Sequence, residues 1–160
     1  MRCLIFSIFP FFISLSLNVT NDRSEDLAFK TGDIIFQTSQ SSQSKAIQLA
    51  TKSKYSHVGL IYNIDREAFV YEAVQPVKIT RLNDWIKRGD GSHYVVKRLK
   101  ESADILTDEN QRKMKDFGER YKGKNYDLYF EWSDDRIYCS ELVWKIYKER
   151  WALSWVNCNI

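Results

Sequence analysis

"RIYCSELVWKIY", residues 136–147, sets one cysteine, Cys139, at the head of a segment that reads as an amphipathic helix. Leu142, Val143 and Ile146 follow it at helical spacing, so the four side chains form one stripe, the stripe that should pack on a sheet. The acidic run "SDD" at 133–135 lies just upstream and most simply forms a capping loop, which puts Cys139 near the first turn. Unpaired N–H groups and the helix macrodipole favour an anion there and depress a thiol pKa. Two roles stay open on these residues alone. Cys139 is either a small apolar plug, since free cysteine is among the most buried residue types, or a nucleophile.

The segments before this helix supply a sheet. "TGDIIFQTS" (31–39) reads as a Gly-Asp turn and a first strand, and "SSQSKAIQLATKSK" (41–54) as a helix behind capping serines. "YSHVGLIY" and "AFVYEAV" flank the polar "NIDRE" and read as a hairpin; "VKITRL" and "HYVVKRL" are further strands, separated by a short helix around "NDWIKR" and a "GDG" turn. "TDENQRKMKDFGERYKG" (107–123) carries Met114, Phe117 and Tyr121 at helical spacing, with Thr107 or Asp108 as cap. This order predicts an α+β domain, an antiparallel sheet with helices packed on one side.

His57 opens the strand "HVGLIY" and shares a face with Gly59 and Ile61. Gly59 beside the imidazole leaves room for another element or a substrate. With a four-residue loop, Asn63 to Arg66, Tyr62 pairs with Glu67 and His57 falls opposite Glu72. A carboxylate beside an imidazole fixes its tautomer and supports the imidazolium, as the third member of a catalytic triad does. A one-residue slip would turn Glu72 to the other face. Singly, His57 also suits a satisfied core histidine and Glu72 a solvated strand residue. His93 has no comparable neighbour and reads as structural or surface. Gln37 is an amide donor for an oxyanion or a polar strand end, and Tyr138 is a candidate for the same oxyanion or substrate-binding role.

Composition sets the outer limits. The 160 residues suit one domain, with 44% hydrophobic and 28% charged residues; a net charge of +3, evenly spread, gives no argument for nucleic acid. No two Cys or His residues show metal-ligand spacing, and nothing calls for a cofactor. At the N-terminus, Arg2 precedes an uncharged apolar run from Cys3 to Leu17, short of the roughly 20 residues of a membrane span. Residues 1–20 therefore read as a secretory signal peptide and 21–30 as a polar leader, which predicts export to a periplasm or the exterior. An uncleaved N-terminal membrane anchor or an apolar strand is the alternative. A disulfide between Cys139 and Cys158 is conceivable in an oxidising compartment, although Cys158 lies close to the chain end.

Taken in order, "GDIIFQ", "SHVGLIY", "YEAV" and "YCSELVWKIY" resemble the permuted papain-like amidases, the YiiX/YaeF group of NlpC-type cysteine hydrolases, from residue 31 to about 150. In that family the histidine strand precedes the cysteine helix, and it does so here. The resemblance implies a permuted papain-like fold over 31–160, with Cys139 as nucleophile, His57 as general base and Glu72 orienting His57. It also implies a thiol acyl-enzyme and amide or peptide-like substrates, among them cell-wall fragments. Relatives usually continue past this helix, whereas "ERWALSWVNCNI" ends the chain, so a domain shortened at its C-terminus is expected. Two other readings stay open: a lipid thioesterase or acyltransferase with the same site, and a papain-like binding module whose triad is idle.

Overall fold

The computed structural model describes residues 29–151 except Glu101. The expected signal peptide, most of the polar leader and Cys158 lie outside the described residues. Runs of β-branched and aromatic residues form five strands: β1 (Ile34–Ser39), β2 (His57–Ile64), β3 (Glu67–Glu72), β4 (Lys78–Arg81) and β5 (Gly89–Lys97). They join in one sheet, all pairs antiparallel, in the order β4-β3-β2-β1-β5. Helix α1 (Ser44–Thr51) links β1 to β2, and α2 (Leu82–Lys87) links β4 to β5. A single turn, α3 (Ser102–Ile105), leads into α4 (Asp108–Glu119), where the Thr107 hydroxyl caps by accepting from the Asn110 N–H at 3.3 Å. A two-residue parallel pair, β6 (Asn125–Tyr126) and β7 (Arg136–Ile137), then delivers the chain into α5 (Cys139–Trp151).

The sheet is covered on both faces, not on one as the element order suggested. Val58, Leu60, Tyr62 and Tyr71 face Met114 of α4 and Leu142 and Ile146 of α5. Ile35, Ile61 and Val70 face the opposite way, onto Leu82 and Trp85 of α2. Burying each such side chain stabilises by about 1.5–3 kcal/mol. The first face is also tied by hydroxyls, Tyr62 to the Met114 carbonyl at 3.1 Å and Tyr71 to the Gly118 carbonyl. Helix α2 is too short for its apolar residues to show a periodicity, which is why the sequence hid its role; Trp85 is fully buried all the same.

The β2–β3 hairpin has a different register from the expected one. Its loop is two residues, Asp65 and Arg66, both at positive φ (50° and 66°), the backbone of a type I′ turn. Ile64 pairs with Glu67 and Leu60 with Tyr71, two positions from the expected pairing, so Glu72 lies beyond that ladder, diagonal to His57. A shift by two preserves the face, and Glu72 therefore still points where His57 can meet it. An Asp-Arg turn lacks the Asn-Gly signature of this geometry, so a longer loop was the natural expectation. The space beside Gly59 is not open to substrate either, because Val70 of β3 fills it and Glu72 adjoins it. The "GDG" stretch, expected as a turn, begins β5, where Gly91 and Ser92 take positive φ and the ladder to β1 is irregular between Gln37 and Ser39.

A methyl group at position 59 would collide with Val70 and press on the Tyr71 carbonyl. Gly59→Ala should lower the unfolding free energy by about 1–3 kcal/mol, measured by urea titration. Adding Val70→Ala should return part of that loss, since the two changes share one space.

Candidate active site

Helix α5 begins at Cys139. The Tyr138 carbonyl accepts the Leu142 N–H at 3.0 Å, and the Tyr138 N–H donates to Glu141 Oε2 at 3.3 Å, which is the Glu half of a capping box. Tyr138 has no short side-chain acceptor to turn back on the first turn, so the helix start around Cys139 is left to favour an anion. Cys139, Leu142, Val143 and Ile146 are all buried, as the stripe required.

His57, the first residue of β2, stands where the two layers meet. Its ring stacks on Trp85 of α2 at 5.9 Å, and its Nε2 lies 2.8 Å from Glu72 Oε2. With Nε2 taken by the carboxylate, Nδ1 is the nitrogen left for Cys139, to which the imidazole also hydrogen-bonds. Burial pushes the His57 pKa down, but bonds and charge attraction from Cys139 and Glu72 outweigh it and raise it from 6.5 to about 9. Burial pushes the Cys139 thiol up, yet His57, the Val58 backbone N–H and the Tyr126 hydroxyl together lower it. Each group favours the charged form of the other, so the two titrate as one pair.

Glu72 is fully buried. Burial alone would protonate it; His57, Thr80 and Arg88 reverse that and hold it below the ordinary carboxylate range. Thr80 of β4 donates to Oε1 at 2.6 Å, and Arg88, the residue after α2, donates to the same oxygen.

Three of the sequence-predicted residues, Cys139, His57 and Glu72, thus come together in one hydrogen-bonded row. Gln37 sits beside His57 in the β1–β2 ladder, 2% exposed, on the wall of a cleft of about 560 Å³. Its side-chain oxygen packs on Gly89 without a hydrogen-bond partner among the described residues. Tyr138 is not on the cleft wall; its ring packs edge-on against Phe130 at 5.3 Å. His93 is exposed and stacks on Tyr55.

The sequence reading missed Tyr126, which lines the cleft and donates to the Cys139 sulfur while its oxygen meets the Cys139 N–H. Burial and the neighbouring Cys139 push its phenol above the ordinary value, so it stays a donor. Parallel pairing of β6 with β7 sets Tyr126 opposite Ile137, just ahead of the cysteine. Within "NYDLYF" nothing marked this tyrosine apart from its aromatic neighbours. Arg88 and Thr80 were equally unmarked.

The row predicts a measurable titration. His57's share of stability is fully present below its unfolded value of 6.5 and lost as pH rises through about 9. Cys139's share is present above its ordinary 9.0 and lost as pH falls through its lowered value. Between these limits the two oppose, so the imidazole itself is the better readout. In an NMR titration the His57 ring should stay charged to about pH 9, and Glu72→Gln and Cys139→Ala should each lower that midpoint.

The sequence profile of the permuted papain-like amidase enzymes, the YaeF/YiiX, C92 family, matches residues 28–160. The protein YiiX of Escherichia coli (strain K12), described as uncharacterized, is 52% identical over 119 residues, covering 74% of this chain and 57% of that protein. The chain thus spans little more than half of that relative. A crystal structure described as the metalloprotein YiiX from Escherichia coli O157:H7 superposes with a TM-score of 0.73 at 52% identity, over 78% of this chain and 67% of the other. Its mixed fold matches the five-stranded antiparallel sheet and helices seen here. With the profile running through the whole described region, the chain belongs to the permuted papain-like amidase family.

Proposed function

We propose that this protein hydrolyses an amide or peptide-like bond through a thioester on Cys139. The observation that carries this is the row Cys139–His57–Glu72, with Cys139 at a helix start and His57 on a cleft wall. Family membership supports a cysteine hydrolase in general terms; the bond, the residues' roles and the substrate are the proposal.

The Cys139 thiolate attacks the substrate carbonyl and forms a C–S bond, sending the carbonyl electron pair onto oxygen. That oxyanion settles near the Cys139 N–H and the Tyr126 hydroxyl, which already bond to each other beside the sulfur. The tetrahedral species collapses, the C–N bond breaks, and His57 gives its proton to the leaving amine. Water then attacks the thioester, passing a proton to the now neutral His57. The acid leaves, and the proton held by His57 restores the ion pair with the released thiolate. Glu72 keeps the imidazole turned and supports its charge without taking the proton.

The description of the solved relative as a metalloprotein stays with that relative. Among the described residues no group of three or more His, Cys, Asp or Glu side chains is placed to hold a metal ion.

A second reading, transfer or hydrolysis of a lipid acyl group by the same site, draws on one observation. Leu128 lines the cleft, and Leu128, Tyr129, Phe130 and Trp132 form an exposed apolar run beside it. The deciding experiment is mass spectrometry of the protein after brief exposure to a panel of peptide amides and long-chain acyl esters. The expected adduct is substrate minus leaving amine on Cys139, absent in Cys139→Ala, with turnover lowered by at least about 10² in His57→Ala. Adducts from acyl esters alone would favour the second reading. No adduct from either series would defeat both.

Export belongs to the same proposal and rests on residues 1–20, outside the described residues. The full chain produced in a bacterial host should yield a periplasmic or secreted form whose new N-terminus falls near residue 20, read by intact mass.

A further inference from the structure

We propose that Arg88 makes the cleft a receptor for a carboxylate on the substrate, so that the bond cleaved belongs to a small acidic, peptide-like amide. This rests on the catalytic reading above and names the substrate class for that site.

Among the described residues that line the cleft, Arg88 is the only charged side chain apart from His57. The rest of the wall is amide, hydroxyl, tyrosine or apolar, with Gln40, Gln43 and Ser41 on one side and Val74 and Leu128 among the apolar members. No carboxylate lines it to repel an anion. Glu72, the acid that Arg88 touches, is fully buried and already engaged by His57, Thr80 and Arg88.

The way Arg88 binds Glu72 leaves most of its guanidinium unused. One nitrogen, Nη2, meets one carboxylate oxygen, and the side chain is 42% exposed. Arg98 shows the contrasting, fully structural use in the same chain. Its Nε and Nη2 each bond one oxygen of buried Asp33 at 2.7 Å, a closed fork. Arg88's remaining N–H groups have no such partner, and a planar fork with open donors on a cleft wall suits a carboxylate. Since the imidazole and the Glu72 carboxylate lie between Arg88 and the sulfur, the carboxylate it takes is removed from the scissile carbonyl by a spacer.

Length-matched alkylating probes test this without knowledge of the natural substrate. ω-(Iodoacetamido)alkanoic acids of increasing chain length, and their neutral primary amides, are reacted with the full chain, and labelling of Cys139 is followed by peptide mass spectrometry. At one spacer length the acid should label faster than its amide by on the order of tenfold. The readout is the acid-to-amide ratio within each variant, because removing a donor to Glu72 lowers both series alike: Arg88→Gln should bring that ratio to one, and Arg88→Lys should keep part of it. Two outcomes overturn the inference: equal rates for acids and amides in the parent, or a ratio that survives Arg88→Gln. The second would make Arg88 a positioning residue for Glu72 alone. Fast labelling without acid preference defeats only this inference, whereas uniformly slow labelling of both series in the parent defeats the nucleophile reading with it.

Discussion

The rest of the site depends on one buried charge. Glu72 has no exposed surface, and removing an ionised carboxylate from water costs several kcal/mol after relaxation. What makes it tolerable is that its donors come from three separate parts of the fold. His57 arrives on β2, Thr80 on β4, and Arg88 just beyond the end of α2. Each of those elements must be in register for the carboxylate to be satisfied. A hairpin slipped by one residue, or an α2 that failed to dock Trp85 under the sheet, would leave an uncompensated buried anion, a defect of about 3–5 kcal/mol. The site and the fold thus enforce each other through a single side chain.

From Glu72 the consequences run toward Cys139. A thiol 6% exposed should be inert, because burial favours its neutral form. Here the adjacent imidazolium, the Val58 N–H and the Tyr126 hydroxyl all stabilise the anion, and the helix start acts in the same direction. The imidazolium in turn is supported against its burial from both sides, by Cys139 and by Glu72. Packing and an ionisable role for Cys139 are compatible in this arrangement. Cys139 belongs to the apolar stripe that packs α5 on the sheet, and its sulfur is also the acceptor for three donors.

Local chemistry was legible in the sequence to the extent that it depended on short-range pattern. The stripe from Cys139 to Ile146, the Thr107 cap and the His57 strand all follow from spacing and residue type, and the structure has them. The meeting of His57 with Glu72 was reached through a wrong register. It survived because the error was an even number of residues and Gly59 between them carries no side chain to block the diagonal. Where placement depends on contacts distant in sequence, the residues gave no sign. Tyr126 reaches Cys139 through a two-residue ladder, and Arg88 reaches Glu72 from a helix end; neither has a periodicity or a motif to announce it.

In space, the charges that the neighbours favour alternate in sign: thiolate, imidazolium, carboxylate, guanidinium. Each inner ion is held by opposite charges on both sides, which is how a low-dielectric interior can keep them ionised. The two ends of such a row are different in kind. They have a charged neighbour on one side only; the guanidinium stands on the cleft wall, and the sulfur bonds to His57 and Tyr126, two residues that line it. An end-member anion with spare electron density is a nucleophile, and an end-member cation with spare N–H groups is a receptor for anions. On the proposed function, the alternation that makes burial of Glu72 tolerable also supplies one group to attack a substrate and another to hold it.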